Sequence, residues 1–342
     1  MIDPGLNLNP KLFDPDVDMQ PIRKGFGEGL LLAGKADKRV VGLCADLTDS
    51  THMNMFAAAF PERFIEIGVA EQNLAATASG MAHMGKIPFI TSYAMFSPGR
   101  NWEQIRTTIA YNNVPVKIAG SHAGVSVGPD GGTHQAIEDI ALTRVIPRMV
   151  VISPCDAIEA RKATLAAAKT PDPTYIRLAR EKTPLITTDE TPFAIGKAWI
   201  AFRSAVREGK RPSGAKHGFD VGIIATGALL HKALMAAREL DGKGIRAAVM
   251  NLSTIKPLDG DAIVRLAHDA GAIVAVEEHQ VAGGMGSAVA ELLAAHRPVP
   301  IEFIGVRDQF GQSGAPAELI EHYGMGEKHI RDAARKAILR KP

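Results

Sequence analysis

Short apolar runs dominated by Val and Ile alternate with Ala-rich stretches along the chain, and this alternation constrains the fold more than any other feature. Runs that are continuously apolar read as strands buried on both faces, and the stretches between them read as the helices that cover those faces. Together they specify an α/β chain built on parallel sheets. The predicted strands are Val40–Cys44, Phe64–Ile67, Pro88–Tyr93, Pro115–Ala119, Val150–Ser153 and Tyr175–Leu178. A second series follows at Val221–Thr226, Ala247–Leu252, Ile273–Val276 and Ile301–Ile304. Between the two series lies a connection whose stretch REGKRPSGAKHG is polar, basic and broken by Gly and Pro. A length of 342 residues, at roughly 150 residues per domain, gives the same division. The reading is a mostly parallel, doubly wound domain over residues 20–188, a linker over 189–216 and a smaller mixed α/β domain over 217–342.

Charge and hydropathy exclude several classes of function. With 39 basic and 37 acidic residues, the chain lacks the excess of Lys and Arg that a nucleic-acid footprint needs. The longest stretch free of Asp, Glu, Lys and Arg runs from Gln72 to Gly85, short of the roughly 18 apolar residues of a spanning helix. The opening segment MIDPGLNLNPKLFDPDVDMQ is acidic and lacks an apolar core, so it reads as neither a secretory signal nor a transit peptide, and a cytoplasmic location is expected. Cys44 and Cys155 sit in apolar surroundings without metal-ligand spacing and read as buried thiols.

Four features carry chemistry. In VAVEEHQVAGGMGSAVAELL, Gly283, Gly284 and Gly286 do not make the spacing of a dinucleotide fingerprint, so they are expected to dock a helix instead. Glu71, in IEIGVAEQNLAATASGMAHMG, stands where a buried strand meets an almost uncharged helix. A carboxylate in a first helical turn suits the helix dipole whatever else it does, but its apolar neighbours make Glu71 a recessed group and a site candidate. The segment SHAGVSVGPDGGTHQ places His122, Asp130 and His134 among Gly124, Gly128, Gly131 and Gly132. Such a loop lets backbone approach a ligand closely, and its spacing excludes a helical pair of zinc ligands. Arg23 opens the first helix of the core, and Arg177 and Arg180 close a strand in YIRLAR. Strand ends in parallel sheets face the ligand crevice, so each Arg is either an anion clamp or a surface ion-pair partner.

In order along the chain, IRKGFGEGL, ADLTDST, GVAEQN, SYAMFSPGRNWEQIR, SHAGVSVGPDGGTHQ, SPCDA, YIRLAR, STIKPLD and VEEHQVAGGMGS resemble the carboxy-terminal half of thiamine diphosphate transketolases, encoded as a separate subunit. The resemblance covers about Pro21 to the end. It implies a pyrimidine-binding domain followed by a transketolase C-terminal domain. It also implies that Glu71 hydrogen-bonds a ring nitrogen of the cofactor's aminopyrimidine, favouring the imino tautomer that takes the thiazolium proton. Tyr93 and Phe96 are similar to the family's stacking wall, and Asp46 to the residue beside the thiazolium. Asp130 and His134 would bind the donor ketose's oxygens, with His134 also catalytic, while Arg23, Ser50, His122 and Arg180 match the positions that hold the terminal phosphate. Arg177 matches none of them.

The resemblance has two departures. The third stacking aromatic has no counterpart in SPGRNW, and nothing resembles the Gly-Asp-Gly to Asn-Asn segment that holds magnesium and the diphosphate. The implication is an N-terminal partner subunit carrying that site, a heterotetramer of two chains of each kind, and ketol transfer between sugar phosphates only when both are present. The beta subunit of a 2-oxo-acid dehydrogenase decarboxylase component, a deoxyxylulose-phosphate-synthase-like enzyme and a non-catalytic binding module are the alternatives. Which ketose and aldose phosphates are used stays open.

Overall fold

A short strand, Met19–Pro21 (β1), leads into the helix Ile22–Ala36 in this computed structural model, which describes residues 1–2, 4–205 and 218–342. The chain then runs through Val40–Cys44 (β2), Phe64–Glu66 (β3), the helix Glu71–His83, Ile87–Tyr93 (β4), Lys117–Ser121 (β5), Val150–Ile152 (β6), the helix Ala157–Ala167, Thr174–Arg177 (β7) and Lys182–Pro184 (β8). Trp199–Arg203 (β9), Val221–Ala225 (β10), Ala247–Asn251 (β11), Thr254–Lys256 (β12), Ile273–Gln280 (β13) and Ile301–Val306 (β14) complete the strands. The basic stretch expected between the two series lies outside the described residues, apart from Gly218.

Two sheets organise the molecule. The larger has seven strands in the order β12-β6-β7-β5-β4-β2-β3, and the smaller has five in the order β14-β13-β10-β11-β9. Pairing is parallel within both except where β12 meets β6 and where β9 meets β11. The continuously buried strands β2, β5, β10 and β11 explain the unbroken apolar runs, since helices cover both faces. In the larger sheet β3 lies on one side of β2 and β4 on the other. That reversal of strand order opens a crevice beyond the carboxyl ends of β2 and β4, where ligands bind in open α/β sheets.

Close helix contact supports the crevice from behind. A Cβ built at Gly25 would lie 1.8 Å from the Ala157 carbonyl oxygen, so only glycine lets the helix Ile22–Ala36 sit this tightly on Ala157–Ala167. Cys44 and Cys155 are both buried free thiols, as the sequence indicates.

The structure adds elements that the apolar runs do not mark. β1 and β8 form a two-stranded antiparallel ribbon, too short and polar to stand out. β9 lies inside the stretch read as linker and is the edge strand of the smaller sheet. β12 comes from STIKPLD, after β11, yet joins the larger sheet at β6. β13 continues past Val276 through Glu277, Glu278 and His279, all of which are buried. No helix among the described residues is long and apolar enough to cross a membrane.

Candidate active site

Parallel pairing of β2, β4, β5 and β7 sends their carboxyl ends to one edge of the larger sheet, and most of the candidate residues stand there. Asp46 follows β2, Tyr93 ends β4, His122 follows β5 and Arg180 follows β7. Tyr93 is in register with Ser121, which brings the next residue, His122, onto the Tyr93 ring. The ring centroids are 3.8 Å apart with planes 26° from parallel. Tyr93 and Phe96 stack at 6.1 Å, and His134 meets the Phe96 ring edge-on at 5.3 Å. The predicted aromatic pair and both histidines thus form one cluster.

Glu71 is the first residue of its helix and only 4% exposed. Gly68 at φ 78 makes the turn after β3, a left-handed conformation suited to glycine, and its N–H donates to Glu66 Oε1 at 2.9 Å. Arg100 Nη1 donates to both Glu71 carboxylate oxygens at 3.2 and 3.3 Å. The Arg100 guanidinium carbon also lies 4.2 Å from the centre of the Phe96 ring. Asn101 Nδ2 donates to the Glu71 carbonyl oxygen at 3.0 Å, which fixes the start of the helix. An open cleft of about 550 Å³ in front of this group is lined by Val69, Ala70, Glu71, Gln72, Asn73 and Arg100.

Arg23 meets the Arg180 backbone close enough to the ring cluster for both arginines to act on His122. Arg23 donates through Nη1 to the Ser50 carbonyl oxygen and through Nε to the Arg180 carbonyl oxygen at 3.2 Å. Arg180 Nη1 donates to the Val127 carbonyl oxygen at 2.5 Å. Burial and then the nearby Arg180 lower the Arg23 pKa. The Arg180 charge acts on Arg23, and the positive field the two share favours an anion. His122 is buried, and desolvation, reinforced by Arg23, Arg180, His134 and His52, lowers its pKa to about 3. At neutral pH it is therefore an uncharged hydrogen-bonding group, with Nδ1 2.9 Å from Ser121 Oγ, and the arginines supply the positive charge.

Asp46 and Asp130 are exposed. The Asp46 backbone, at φ 58, donates its N–H to Glu66 Oε1 at 2.7 Å. Arg177 belongs elsewhere: it is buried, with Nε 2.9 Å from Asp139 Oδ2. The Gly283 to Gly286 segment docks a helix, since Glu277 accepts the N–H groups of Met285 and Gly286 at 2.6 and 2.8 Å. Sequence reasoning missed Arg100, Glu66 and His52. Arg100 had a signal: it stands four residues after Phe96, and its N–H bonds the Phe96 carbonyl oxygen at 2.9 Å, a helical-turn spacing that returns its side chain to the ring.

The flat guanidinium of Arg100 stacks on Phe96 while donating to Glu71. A planar aminopyrimidine needs the same two surfaces, a ring face and a recessed carboxyl, so the donor set fits that group.

Two family models match the chain: Transketolase, pyrimidine binding domain, over residues 18–185, and Transketolase, C-terminal domain, over 214–330. The chain is 42% identical over 312 residues to a putative transketolase C-terminal section of Methanocaldococcus jannaschii, covering 90% of this chain and 93% of that one. It is 39% identical over 329 residues to a 6-deoxy-6-sulfo-D-fructose transketolase subunit of a Clostridium species, covering 96% and 98% respectively. A solved structure described as a split gene transketolase, inactive beta4 tetramer, superposes with a TM-score of 0.84 at 41% identity, covering 94% of this chain and 99% of that chain.

Proposed function

The chain belongs to the transketolase family, and from that membership we propose that it is the carboxy-terminal subunit of a two-chain transketolase. It moves a two-carbon ketol unit from a ketose phosphate to an aldose phosphate, in the cytoplasm. The observation that carries this reading is that Glu71 meets Phe96 through Arg100 while Arg23 and Arg180 act on His122, so that a recessed carboxyl and two guanidinium groups border one ring cluster.

Thiamine diphosphate, when bound, supplies the carbanion chemistry that holds the ketol unit between donor and acceptor. Glu71 would hydrogen-bond a pyrimidine ring nitrogen, Phe96 and Tyr93 would give the ring an apolar wall, and Asp46 would serve the thiazolium end. His134 and Asp130 take the hydroxyl and carbonyl oxygens of the donor, His134 also acting in proton movement. Arg23, Ser50, His122 and Arg180 form the phosphate end, with His122 neutral.

The diphosphate and magnesium site is assigned to an N-terminal partner subunit, with two chains of each kind in the assembly. Support for a separate subunit comes from relatives matched over nearly their whole length whose names are those of a section and a subunit. The domain division proposed is 20–188 for pyrimidine binding, 189–216 for the linker and 217–342 for the C-terminal domain.

Ketol transfer is measured with the purified chain, thiamine diphosphate and magnesium, with and without the candidate partner, across a panel of ketose phosphates. Activity is expected only in the mixture. Arg180→Ala should then raise KM for phosphorylated substrates by roughly a hundredfold, the scale of losing one side of a charge-assisted pair. An unchanged KM removes Arg180 from the phosphate site, and turnover of 2-oxo acids in place of sugar phosphates replaces the transketolase reading.

A further inference from the structure

The loop that carries His122, Asp130 and His134 is held in shape by residues far along the chain. Glu278, buried in β13, accepts the Ser126 N–H through Oε1 at 2.6 Å. Gly124 has φ 91, and a Cβ built on it would fall 2.3 Å from the same Glu278 oxygen, so backbone and carboxylate are in direct contact. The Glu278 carbonyl oxygen accepts from Arg177 Nη2 at 2.8 Å, and Arg177 is anchored by Asp139. On the loop's far side, Gln135 Nε2 donates to Val125 O at 3.0 Å, to Gly128 O at 3.2 Å and to Gln312 O at 2.9 Å. Cβ atoms at Gly131 and Gly132 would each come within 2.6 Å of Ser313 Oγ and Gly311 O.

We propose that Glu278 is a positioning residue for substrate binding, fixing from β13 the loop that presents His122, Asp130 and His134. The smaller sheet's domain thereby contributes to the site, although none of its side chains is assigned to cofactor or substrate. The argument is one of preorganisation: a glycine-rich loop has many conformations, and an acceptor on a rigid strand selects one before ligand arrives. That these three residues meet the donor sugar rests on the function proposed above. That Glu278 orders the loop does not.

The test separates the two. Hydrogen–deuterium exchange of the full chain alone should show amides of residues 124–128 exchanging at least about tenfold faster in Glu278→Ala, with those of β4 and β10 unchanged. Glu278→Gln keeps an acceptor oxygen and should restore protection. In the assembled enzyme Glu278→Ala should raise KM for the ketose phosphate about tenfold or more, with a smaller fall in kcat that reports displacement of His134, and Glu278→Gln should restore both. If Glu278→Ala does not fold, Gln135→Ala takes its place with the same expectations. Unchanged loop exchange, or a rise shared equally by β4 and β10, overturns the proposal. Faster loop exchange with an unchanged KM overturns the link to substrate, whereas absence of ketol transfer in the unaltered enzyme would count against the function alone.

Discussion

Arg100 gives the buried Glu71 carboxylate a charged partner and the Phe96 face a planar one. Any planar group that takes both places must displace it. The ion pair itself contributes little, because Arg100 is 52% exposed and water screens it. Arg100→Ala is therefore expected to lower chain stability by no more than about 1 kcal/mol while tightening thiamine diphosphate binding by the assembled enzyme several-fold. Calorimetric titration of the cofactor into enzyme with its partner measures this, and weaker binding would make Arg100 part of the cofactor's own contacts. Glu71 was legible because a lone carboxylate opening an uncharged, Ala-rich helix has few structural explanations. Arg100 was legible only in its four-residue spacing from Phe96, since nothing in SPGRNW fixes the turn that brings its side chain back to the ring. His122 was legible as part of a loop brought to the sheet edge, but its charge was not: the pKa is set by burial and by Arg23, Arg180, His134 and His52, which the fold gathers around it.

Strand β13 shows why element boundaries fail where function or capping enters. The alternation of apolar character stops at Val276, and VEEHQ looks like a strand ending in solvent, yet the strand continues to Gln280 with three buried polar residues. Each acidic residue has a task. Glu277 accepts two N–H groups at the start of the helix Met285–His296, and Glu278 accepts one from the glycine-rich loop. The interior strands were legible to within a few residues because burial on both faces keeps them largely apolar, with buried polar residues such as Lys117, Thr91 and Asn251 the exceptions. The short strands β1, β8 and β12 were not, since MQP, KTP and TIK lack the apolar run that marks the equally short β6. Desolvation raises the Glu277 pKa to about 7, against the opposing pull of the Gly286 and Met285 amides and of Arg177 and Arg144. A carboxyl raised in the folded state contributes stability that is complete below its unfolded value near 4.5 and is lost as pH rises through about 7. Such a shift corresponds to roughly 3 kcal/mol. Glu159, likewise raised to about 7, adds a loss of the same sign. Because burial lowers the pKa of His122 and His279, their contributions rise with pH and oppose these losses. The readout is therefore a difference: the thermal stability of Glu277→Gln relative to the parent should rise between about pH 4.5 and pH 7, where the parent loses the Glu277 share. An identical pH slope in variant and parent would mean that Glu277 titrates alike in both states.

At the scale of the whole molecule, two sheets do not make two independent bodies. β12 leaves the second half of the chain to pair with β6 in the larger sheet, and Lys256 at its end donates to the Arg144 and Ile146 carbonyl oxygens at 2.9 and 2.5 Å. Ser153 N–H bonds the Ser253 carbonyl oxygen at 2.7 Å, and Gln280 N–H that of Ile137 at 2.8 Å. The buried Arg177, paired with Asp139, gives its shorter Nη2 bond to the Glu278 carbonyl oxygen and a longer one to that of Ala136, so removing the second half weakens the satisfaction of a buried charge. A fragment of residues 1–188 would also expose Val150–Ile152 as an unpaired apolar edge, a template for aggregation. The intact chain should unfold in a single calorimetric transition, and the fragment should be aggregated or much less stable than the same residues in the full chain. Two resolved transitions, or a monomeric fragment with unchanged stability, would mean that these ties are incidental. A single transition has a functional consequence: the strand that shapes the substrate loop and the sheet that carries the ring cluster persist or are lost together.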